Sequence, residues 1–320
     1  MSAGLQEKLA RLGLLAATPS TASAVPPSVV SELPGRECLT CCGPVWMHER
    51  RFVPGAAPLP HGTRPLTSVE KALLFRRPPR HGAAVAFDIE TTSLASGAGV
   101  NAFLVGLGWW HEGVVVVQQW LMRSPLEEEA MLASVLATLQ RFTGMLSFCG
   151  RGFDIPRFRD RLAMAGRGEQ LPVFPHDDLA PLARQMLTGR MKNARLASVE
   201  AELLGFRRVH DLPGSECPRE WFALQRGQAH RMAAVMEHNA IDVASLFGVE
   251  WALFEELQQP RTPATAMLAT VAALEAGEMM HAQRAANVAD EILAADSAGQ
   301  VPRGLAEQYR RARQRLHAAC

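Results

Sequence analysis

The chain has 320 residues, of which 48% are hydrophobic and 20% are charged. This composition supports a sizeable buried core and excludes wholesale disorder, and the length allows about two domains, or one domain with an extension. The formal net charge of +1 excludes a protein that coats nucleic acid through overall charge alone. The longest aliphatic runs, such as residues 114–117, are too short to span a bilayer, so no membrane association is predicted. Six cysteines in a chain of this size are typical of a reducing cytoplasm, which is the predicted location.

The first 80 residues divide into two segments. Residues 1–34 are predicted to form a short amphipathic helix followed by a Pro/Ser-rich linker. Residues 35–80 are predicted to be an irregular, locally basic accessory segment with one helix over 68–75. Zinc binding is an alternative for four residues of this segment, Cys38, Cys41, Cys42 and His48. A structural zinc site usually has two pairs of ligands and only one pair is present here, so ordinary reduced thiols are favoured.

Strand and helix patterns alternate over residues 81–257. Strands are predicted over 83–89, 102–109 and 114–120, followed by a helix over 125–142 and a strand over 145–149. Further helices are predicted over 155–165, 179–187, 196–204 and 228–257. This order indicates a mixed α/β sheet rather than a helical bundle. Residues 262–320 are rich in Ala, Glu, Gln and Arg with helical periodicity, and they resemble an αα-hairpin of the tetratricopeptide type.

Two carboxylates end the first predicted strand. Asp88 and Glu90 follow an apolar run, and residues two apart in a strand point to the same face. Two like charges at such a position are costly unless a cation neutralises them. A solvated strand end is the alternative, and the Asp-x-Glu pattern alone does not decide between them.

A second acid follows the strand over 145–149. Asp154 comes after two glycines, where a helix is predicted to begin. Because Asp is a preferred N-cap, helix capping alone would explain this residue.

The third element lies within the long helix predicted over 228–257. His238 and Asp242 are four residues apart, so they share one face of that helix. A solvated polar face is the alternative, and for a lone His-x-x-x-Asp pattern it would be preferred.

The three elements in this order resemble the exonuclease motifs of the DnaQ-like (DEDD) superfamily, and more closely those of YprB-type ribonuclease H-like domain proteins. The resemblance covers roughly residues 34–257. It rests on Phe-Asp-Ile-Glu-Thr-Thr-Ser-Leu at 87–94, Phe-Leu-Val-Gly-Leu-Gly at 103–108, Gly-Phe-Asp-Ile-Pro at 152–156, His-Asp-Asp-Leu at 176–179, Arg-Leu-Ala-Ser-Val-Glu at 195–200, Asp-Leu-Pro-Gly at 211–214 and His-Asn at 238–239.

The resemblance implies a ribonuclease H-like fold with a mixed five-stranded sheet flanked by helices, and a 3′-5′ exonuclease. It implies two metal ions held by Asp88, Glu90, Asp154 and Asp242, and a catalytic role for His238 as general base. All-oxygen ligands suit Mg²⁺ or Mn²⁺. Two positions depart from the superfamily pattern: Cys149 stands where Asn is frequent, and His238 occupies the spacing usually taken by Tyr.

Substrate contacts are predicted for Thr91, Arg151, Lys192 and Arg195, the three cations through phosphates. For these cations a solvated surface is an equal alternative. The predicted partner is nucleic acid, at single-stranded 3′ ends, and the helical tail could bind a protein. The sequence does not distinguish DNA from RNA, and the alternative function is a catalytically silent module that binds nucleic acid or protein.

Overall fold

The computed structural model describes residues 33–93, 99–209, 211–295 and 301–319. The helix and linker predicted over residues 1–34 therefore lie almost entirely outside the described residues. The strands within these ranges are β1 (Arg36–Thr40), β2 (Gly43–Phe52), β3 (Ala84–Thr91), β4 (Ala102–His111), β5 (Val114–Leu121), β6 (Gly144–Ser147) and β7 (His176–Asp178). The α-helices are α1 (Ser68–Phe75), α2 (Glu128–Leu139), α3 (Asp154–Met164), α4 (Leu179–Met186), α5 (Leu196–Val199), α6 (Cys217–Gln225), α7 (Met232–Gln258), α8 (Pro263–Glu275), α9 (Met279–Ala295) and α10 (Arg303–Ala319).

The strands form one mixed sheet in the order β1-β2-β5-β4-β3-β6-β7. The pairs from β1 to β3 are antiparallel, whereas β6 and β7 run parallel to β3. The turn between β4 and β5 places Glu112 and Gly113 at φ of 49° and 82°. Positive φ at both central residues is the geometry of a tight hairpin that matches strand twist. The parallel strands are instead connected through helices, as parallel pairing requires.

The sheet has seven strands in the described ranges, so the expectation of five strands was wrong, although the mixed α/β fold class is confirmed. Residues 36–52 were expected to be irregular, but they form the hairpin β1–β2, which pairs with β5 from Trp46 opposite Leu121 to Phe52 opposite Val115. This pairing joins segments that are distant in the chain, and local propensity does not reveal it. Strand β7 has only three residues, too few for a recognisable period.

The sheet is covered on both faces. One face packs against α2 and α3 through residues that include Phe87, Leu132 and Phe158. The other face packs against α7, which approaches closely because β4 carries glycine at its crossing point. A Cβ at Gly108 would lie 2.5 Å from Cγ1 of Val243. The face covered by α7 is the one that carries the acidic residues described below.

Residues 262–320 contain three described helices, not the two of the expected αα-hairpin. Helix α8 is buried along its length, and it belongs to the same apolar core as α7. The hydroxyl of Tyr309 on α10 donates to Asp290 on α9 over 3.0 Å. The helical C-terminal region is thus attached to the sheet domain through α8, and its role in binding a partner stays a prediction. Among the described residues, no helix has the length and apolar character needed to cross a membrane.

Candidate active site

Strand β3 places Asp88 and Glu90 on the face of the sheet that α7 covers. The neighbouring Phe87 points to the opposite face, where its ring meets Phe158 edge-on with 5.4 Å between the centroids. Glu90 is only 8% exposed. A solvated strand end therefore does not describe this position, because the carboxylate is held inside the protein.

Asp154 is the first residue of α3 and is also buried, at 5% exposure. The N-cap position is Phe153, and within the described part of the chain no side chain caps this helix. Helix capping, the simplest reading of Asp154 from sequence, is therefore not its role here. The turn before it needs a small residue at Gly150, since a Cβ there would lie 2.5 Å from the Ser147 hydroxyl and 3.2 Å from Oδ2 of Asp154.

Asp178 holds this turn in place from β7. Its Oδ1 accepts from the backbone N–H of Cys149 at 2.8 Å, and its Oδ2 accepts from that of Arg151 at 3.2 Å. Asp178 also caps α4 by accepting from Ala180 N–H, as its position before Leu179 predicts. Cys149 adopts a left-handed φ of 65°. Asparagine tolerates this conformation better than cysteine, and at Cys149 the backbone N–H is held by Asp178.

Helix α7 contributes His238 and Asp242, one turn apart. Nδ1 of His238 lies 2.8 Å from Oδ1 of Asp211, and its Nε2 lies 3.5 Å from Oδ2 of Asp242 and 3.9 Å from Oε1 of Glu90. An ionised Asp211 can only accept, whereas Nη1 of Arg208, 3.3 Å from the same Nδ1, can only donate. The shorter contact, with Asp211, decides for the tautomer in which Nδ1 carries the proton. Nε2 is then left as an acceptor that faces the carboxylates of the site.

Together with Asp211, Arg208 is one of the residues of this region that sequence reasoning missed. Its guanidinium is 6% exposed and pairs with both oxygens of Glu200, at 2.6 and 2.8 Å, and with Oδ1 of Asp242. Glu200 is fully buried. The available signal was an adjacent pair of arginines, Arg207 and Arg208, between the Ser-Val-Glu and Asp-Leu-Pro-Gly motifs. Such a pair does not indicate which arginine is buried or which acids it contacts.

The predicted acids line a single cavity of about 530 Å³. Its lining includes Asp88, Glu90, Thr91, Asp154, His238 and Asp242. Of the predicted substrate residues, only Thr91 is part of this lining. Arg151 instead donates to the backbone carbonyl of His176, and Lys192 and Arg195 are outside the lining too. Arg208 is likewise not a lining residue, although it contacts Asp242.

The carboxylates of the cavity repel one another. Burial raises the pKa of Asp88 well above its usual value, and Asp242, Asp154 and Glu90 raise it further. Burial likewise raises the pKa of Asp154 to about 8, with a contribution from Glu90. The pKa of Glu90 is raised to about 7, again mainly by burial, although His238 opposes the shift.

His238 responds to the same charges in the opposite sense. Burial alone would lower its pKa, but Asp242, Glu90 and the hydrogen bond with Asp211 together raise the pKa above the usual value. The site therefore favours positive charge, whether as protons or as a cation.

The donor set of the cavity fits a hard divalent cation. Glu90, His238 and Asp242 each offer a ligand atom, and the three atoms lie within 4.8 Å of one another. Asp88 and Asp154 add carboxylate oxygens to the same lining, and oxygen-rich sites suit Mg²⁺ or Mn²⁺. A bound cation would offset the mutual repulsion that raises the carboxylate pKa values.

The zinc alternative near the N-terminus is not supported. Cys38 lies on β1 opposite Val45, and His48 lies further along β2, opposite Gln119 of β5. Cys41 and Cys42 lie side by side at the hairpin turn, 3.7 Å apart between sulfurs. Across the described ranges, these residues form no metal-ligating group of three or more.

Comparison with known proteins agrees with the fold. Residues 85–253 match the family model RNase_H_2, described as RNase_H superfamily. The chain therefore belongs to the ribonuclease H superfamily, and the match spans β3 through most of α7.

A curated relative is also similar to this chain. Over 165 residues the chain is 36% identical to the uncharacterized protein YprB of Bacillus subtilis (strain 168), which covers 51% of this chain and 40% of the relative. The chain thus spans well under half of that relative's length. The predicted resemblance to YprB-type ribonuclease H-like proteins is confirmed by the two comparisons together.

A solved structure, the family B DNA polymerase from the hyperthermophilic archaeon Pyrobaculum calidifontis, superposes with a TM-score of 0.43 at 16% identity. The superposition covers 77% of this chain and 33% of the polymerase chain. A similarity of this extent says nothing about activity.

Proposed function

We propose that this chain is a divalent-metal-dependent nuclease that hydrolyses phosphodiester bonds of nucleic acid, removing nucleotides from single-stranded 3′ ends. One observation carries the proposal: four carboxylates from β3, α3 and α7 line a single cavity together with His238. Membership of the ribonuclease H superfamily supports it. Like charges gathered in a buried cavity are costly for folding, so a role in holding cations accounts for their presence.

The residues that would hold two Mg²⁺ or Mn²⁺ ions are Asp88, Glu90, Asp154 and Asp242. When bound, the cations would offset the negative charge that develops on the phosphoryl oxygens and would make an attacking water more acidic. Asp242 brings one oxygen to the cavity, because Arg208 holds the other. Asp154 comes from a turn that Asp178 stabilises.

His238 would act as general base through Nε2. In the hydrolysis, the water oxygen bonds to phosphorus, and the bond from phosphorus to the 3′ oxygen of the preceding nucleotide breaks. The 3′ oxygen keeps the electron pair and takes a proton from solvent, and a nucleoside 5′-monophosphate is released. Nε2 faces the cavity and accepts the proton of the water, while Asp211 keeps the ring oriented through Nδ1. Asp211 also stabilises the imidazolium that results.

Thr91 would contact the substrate inside the cavity, since it is part of the lining. Backbone phosphates outside the cavity would be contacted by Arg151, Lys192 and Arg195, where the nucleic-acid strand extends towards α4 and α5. Phosphate contacts of this kind position a strand without reading its sequence.

The test uses the full chain with Mg²⁺ or Mn²⁺ and 5′-labelled single strands of DNA and RNA of one sequence. A ladder that shortens from the 3′ end is expected, with activity lost in Asp88→Asn and Asp242→Asn. The matched control is Asp160→Asn, an exposed acid on α3, which should keep wild-type activity. Cleavage that survives both active-site substitutions would refute the assignment, and a wild-type chain that neither cleaves nor binds Mn²⁺ would favour the silent binding module.

A further inference from the structure

Three residues form a row across the centre of the sheet. Asp88 of β3 is opposite Gly106 of β4, and Gly106 is opposite Gln119 of β5. Residues directly opposite in neighbouring strands point to the same face. Because the middle member has no side chain, the row contains a gap between the carboxylate and the amide.

Asn239 of α7 fills this gap. A Cβ at Gly106 would overlap Oδ1 of Asn239 and would lie 2.8 Å from Cγ2 of Val243. Asn239 and Gln119 are both fully buried. The helix thus inserts an amide between Asp88 and Gln119, at a point where the sheet leaves room for it.

The hydrogen bonds that join Gln119, Asn239 and Asp88 allow only one assignment of donors and acceptors. The backbone carbonyl of Met236 can only accept, so Gln119 must point its NH₂ group towards it, at 2.7 Å. The same NH₂ group donates to Oδ1 of Asn239 at 2.8 Å. Asn239 must therefore turn its own NH₂ group towards Asp88, where it donates to Oδ2 at 2.8 Å and to the backbone oxygen at 3.4 Å.

This arrangement has an energetic cost. Oε1 of Gln119 is buried and has no hydrogen-bond partner among the residues that the structure describes. A leucine of similar size would fill the space among the valines of β5 without leaving an unpaired acceptor. An unpaired buried acceptor calls for an explanation, and the NH₂ end of the same side chain offers one, because it orients Asn239.

We propose that Gln119 and Asn239 are positioning residues. Their two side-chain amides form a chain of hydrogen bonds, here called the amide relay, that begins at the Met236 carbonyl and ends at Oδ2 of Asp88. The relay fixes the Asp88 carboxylate and leaves its Oδ1 for a cation. The proposal rests on the proposed function, because it takes Asp88 as a metal ligand. A neutral amide suits this task, since it stabilises the carboxylate without bringing a positive charge that would compete with the cation. Asp242 is held differently, by a charged guanidinium that already occupies one of its oxygens.

The first experiment measures Mn²⁺ affinity by calorimetry on the full chain. Loss of an outer partner of a metal ligand typically weakens binding about 10- to 100-fold, and this range is expected for Gln119→Leu and Asn239→Ala. Gln118→Leu is the matched control, because Gln118 is the adjacent residue of β5 and points to the opposite face. Wild-type affinity in both relay variants, with affinity lost in Asp88→Asn, would overturn the relay but not the metal site.

A directional variant separates the relay from simple packing. Gln119→Glu has the same shape, but a carboxylic acid buried at this position has one O–H to donate where the amide NH₂ group donates twice, so the Met236 carbonyl and Oδ1 of Asn239 would compete for one proton. Asn239 would lose its fixed orientation, and Mn²⁺ affinity should fall below that of wild type. An unchanged affinity would show that the direction of the hydrogen bonds is irrelevant.

The second experiment needs no metal, so it decides the relay even if the proposed function fails. The sequence has four asparagines, Asn101, Asn193, Asn239 and Asn287, and selective ¹⁵N-asparagine labelling gives four side-chain NH₂ signals. In the metal-free protein the Asn239 signal should exchange slowly with solvent, and it should shift in both Gln119→Leu and Asp88→Asn but not in Gln118→Leu. A fast-exchanging signal that neither substitution moves would overturn the relay.

Discussion

Arg208 donates to Oδ1 of Asp242, while Oδ2 of the same carboxylate lies 3.5 Å from Nε2 of His238, a residue that lines the cavity. An arginine within the cavity would take the place of a cation and would argue against a metal site. Here the arginine orients one acidic ligand and leaves its other oxygen available. The same guanidinium also neutralises the fully buried Glu200.

Loss of this guanidinium should destabilise the fold strongly. Arg208→Met would leave Glu200 and Asp242 without their charge partner, and breaking a buried ion pair in this way costs about 3–5 kcal/mol. Urea unfolding of the metal-free protein measures the change. Adding Glu200→Gln to Arg208→Met should recover part of the loss, and a single variant within about 1 kcal/mol of wild type would contradict this account.

The stability of the metal-free protein should fall as the pH rises. Glu90 and Asp154 have pKa values of about 7 and about 8 in the folded chain, above the ordinary values of 4.5 and 3.8. Between the ordinary pKa values and those of the folded chain, the folded state binds more protons than the unfolded state. The contribution of these groups to stability is therefore present at low pH, and it is lost as the pH rises through the pKa values of the folded chain. Melting temperatures in EDTA from pH 5 to 8 measure this trend. Mn²⁺ should raise the melting temperature more at pH 8 than at pH 6, and Asp154→Asn should flatten the profile.

Removing the charge of Asp211 should shift the pH dependence of hydrolysis. Asparagine at 211 can still accept from Nδ1 of His238, so the ring keeps its orientation. Without the carboxylate, however, the pKa of His238 falls, because Asp211 is one of the groups that raise it. The rise of kcat with pH in Asp211→Asn should then occur at lower pH than in wild type, whereas Asp211→Ala should also lose rate through misorientation. Identical profiles for Asp211→Asn and wild type would contradict the assigned role of Asp211.

Alanine at position 106 should be poorly tolerated although it is a small change. The added methyl group would overlap Asn239 and approach Val243, and overpacking of this kind costs about 1–3 kcal/mol. Thermal unfolding compares Gly106→Ala with Gly304→Ala, where a Cβ would meet no described atom within 4 Å and no loss is expected. Equal stability of the two variants would indicate that α7 does not pack against β4 as closely as described.

The local patterns predicted the elements of the site better than the extent of the sheet. The helix predicted over 68–75 has those bounds, and the strand pattern placed Asp88 and Glu90 on one face. The hairpin β1–β2 was missed because its partner β5 is distant in the chain. The role of Asp154 was ambiguous in sequence, since a capping residue and a buried site residue can occupy the same position before a helix.

The sequence by itself determined the order of the acidic motifs, their placement on strand or helix, and hence the family. Periodicity and residue type carry that information, because they act within a few residues along the chain. Only the tertiary structure decided which groups meet: that Arg208 contacts Asp242, that Asp211 orients His238, and that Asn239 fills the gap above Gly106. Those contacts depend on how α7 crosses the sheet, and the crossing is set by packing between residues far apart in the chain.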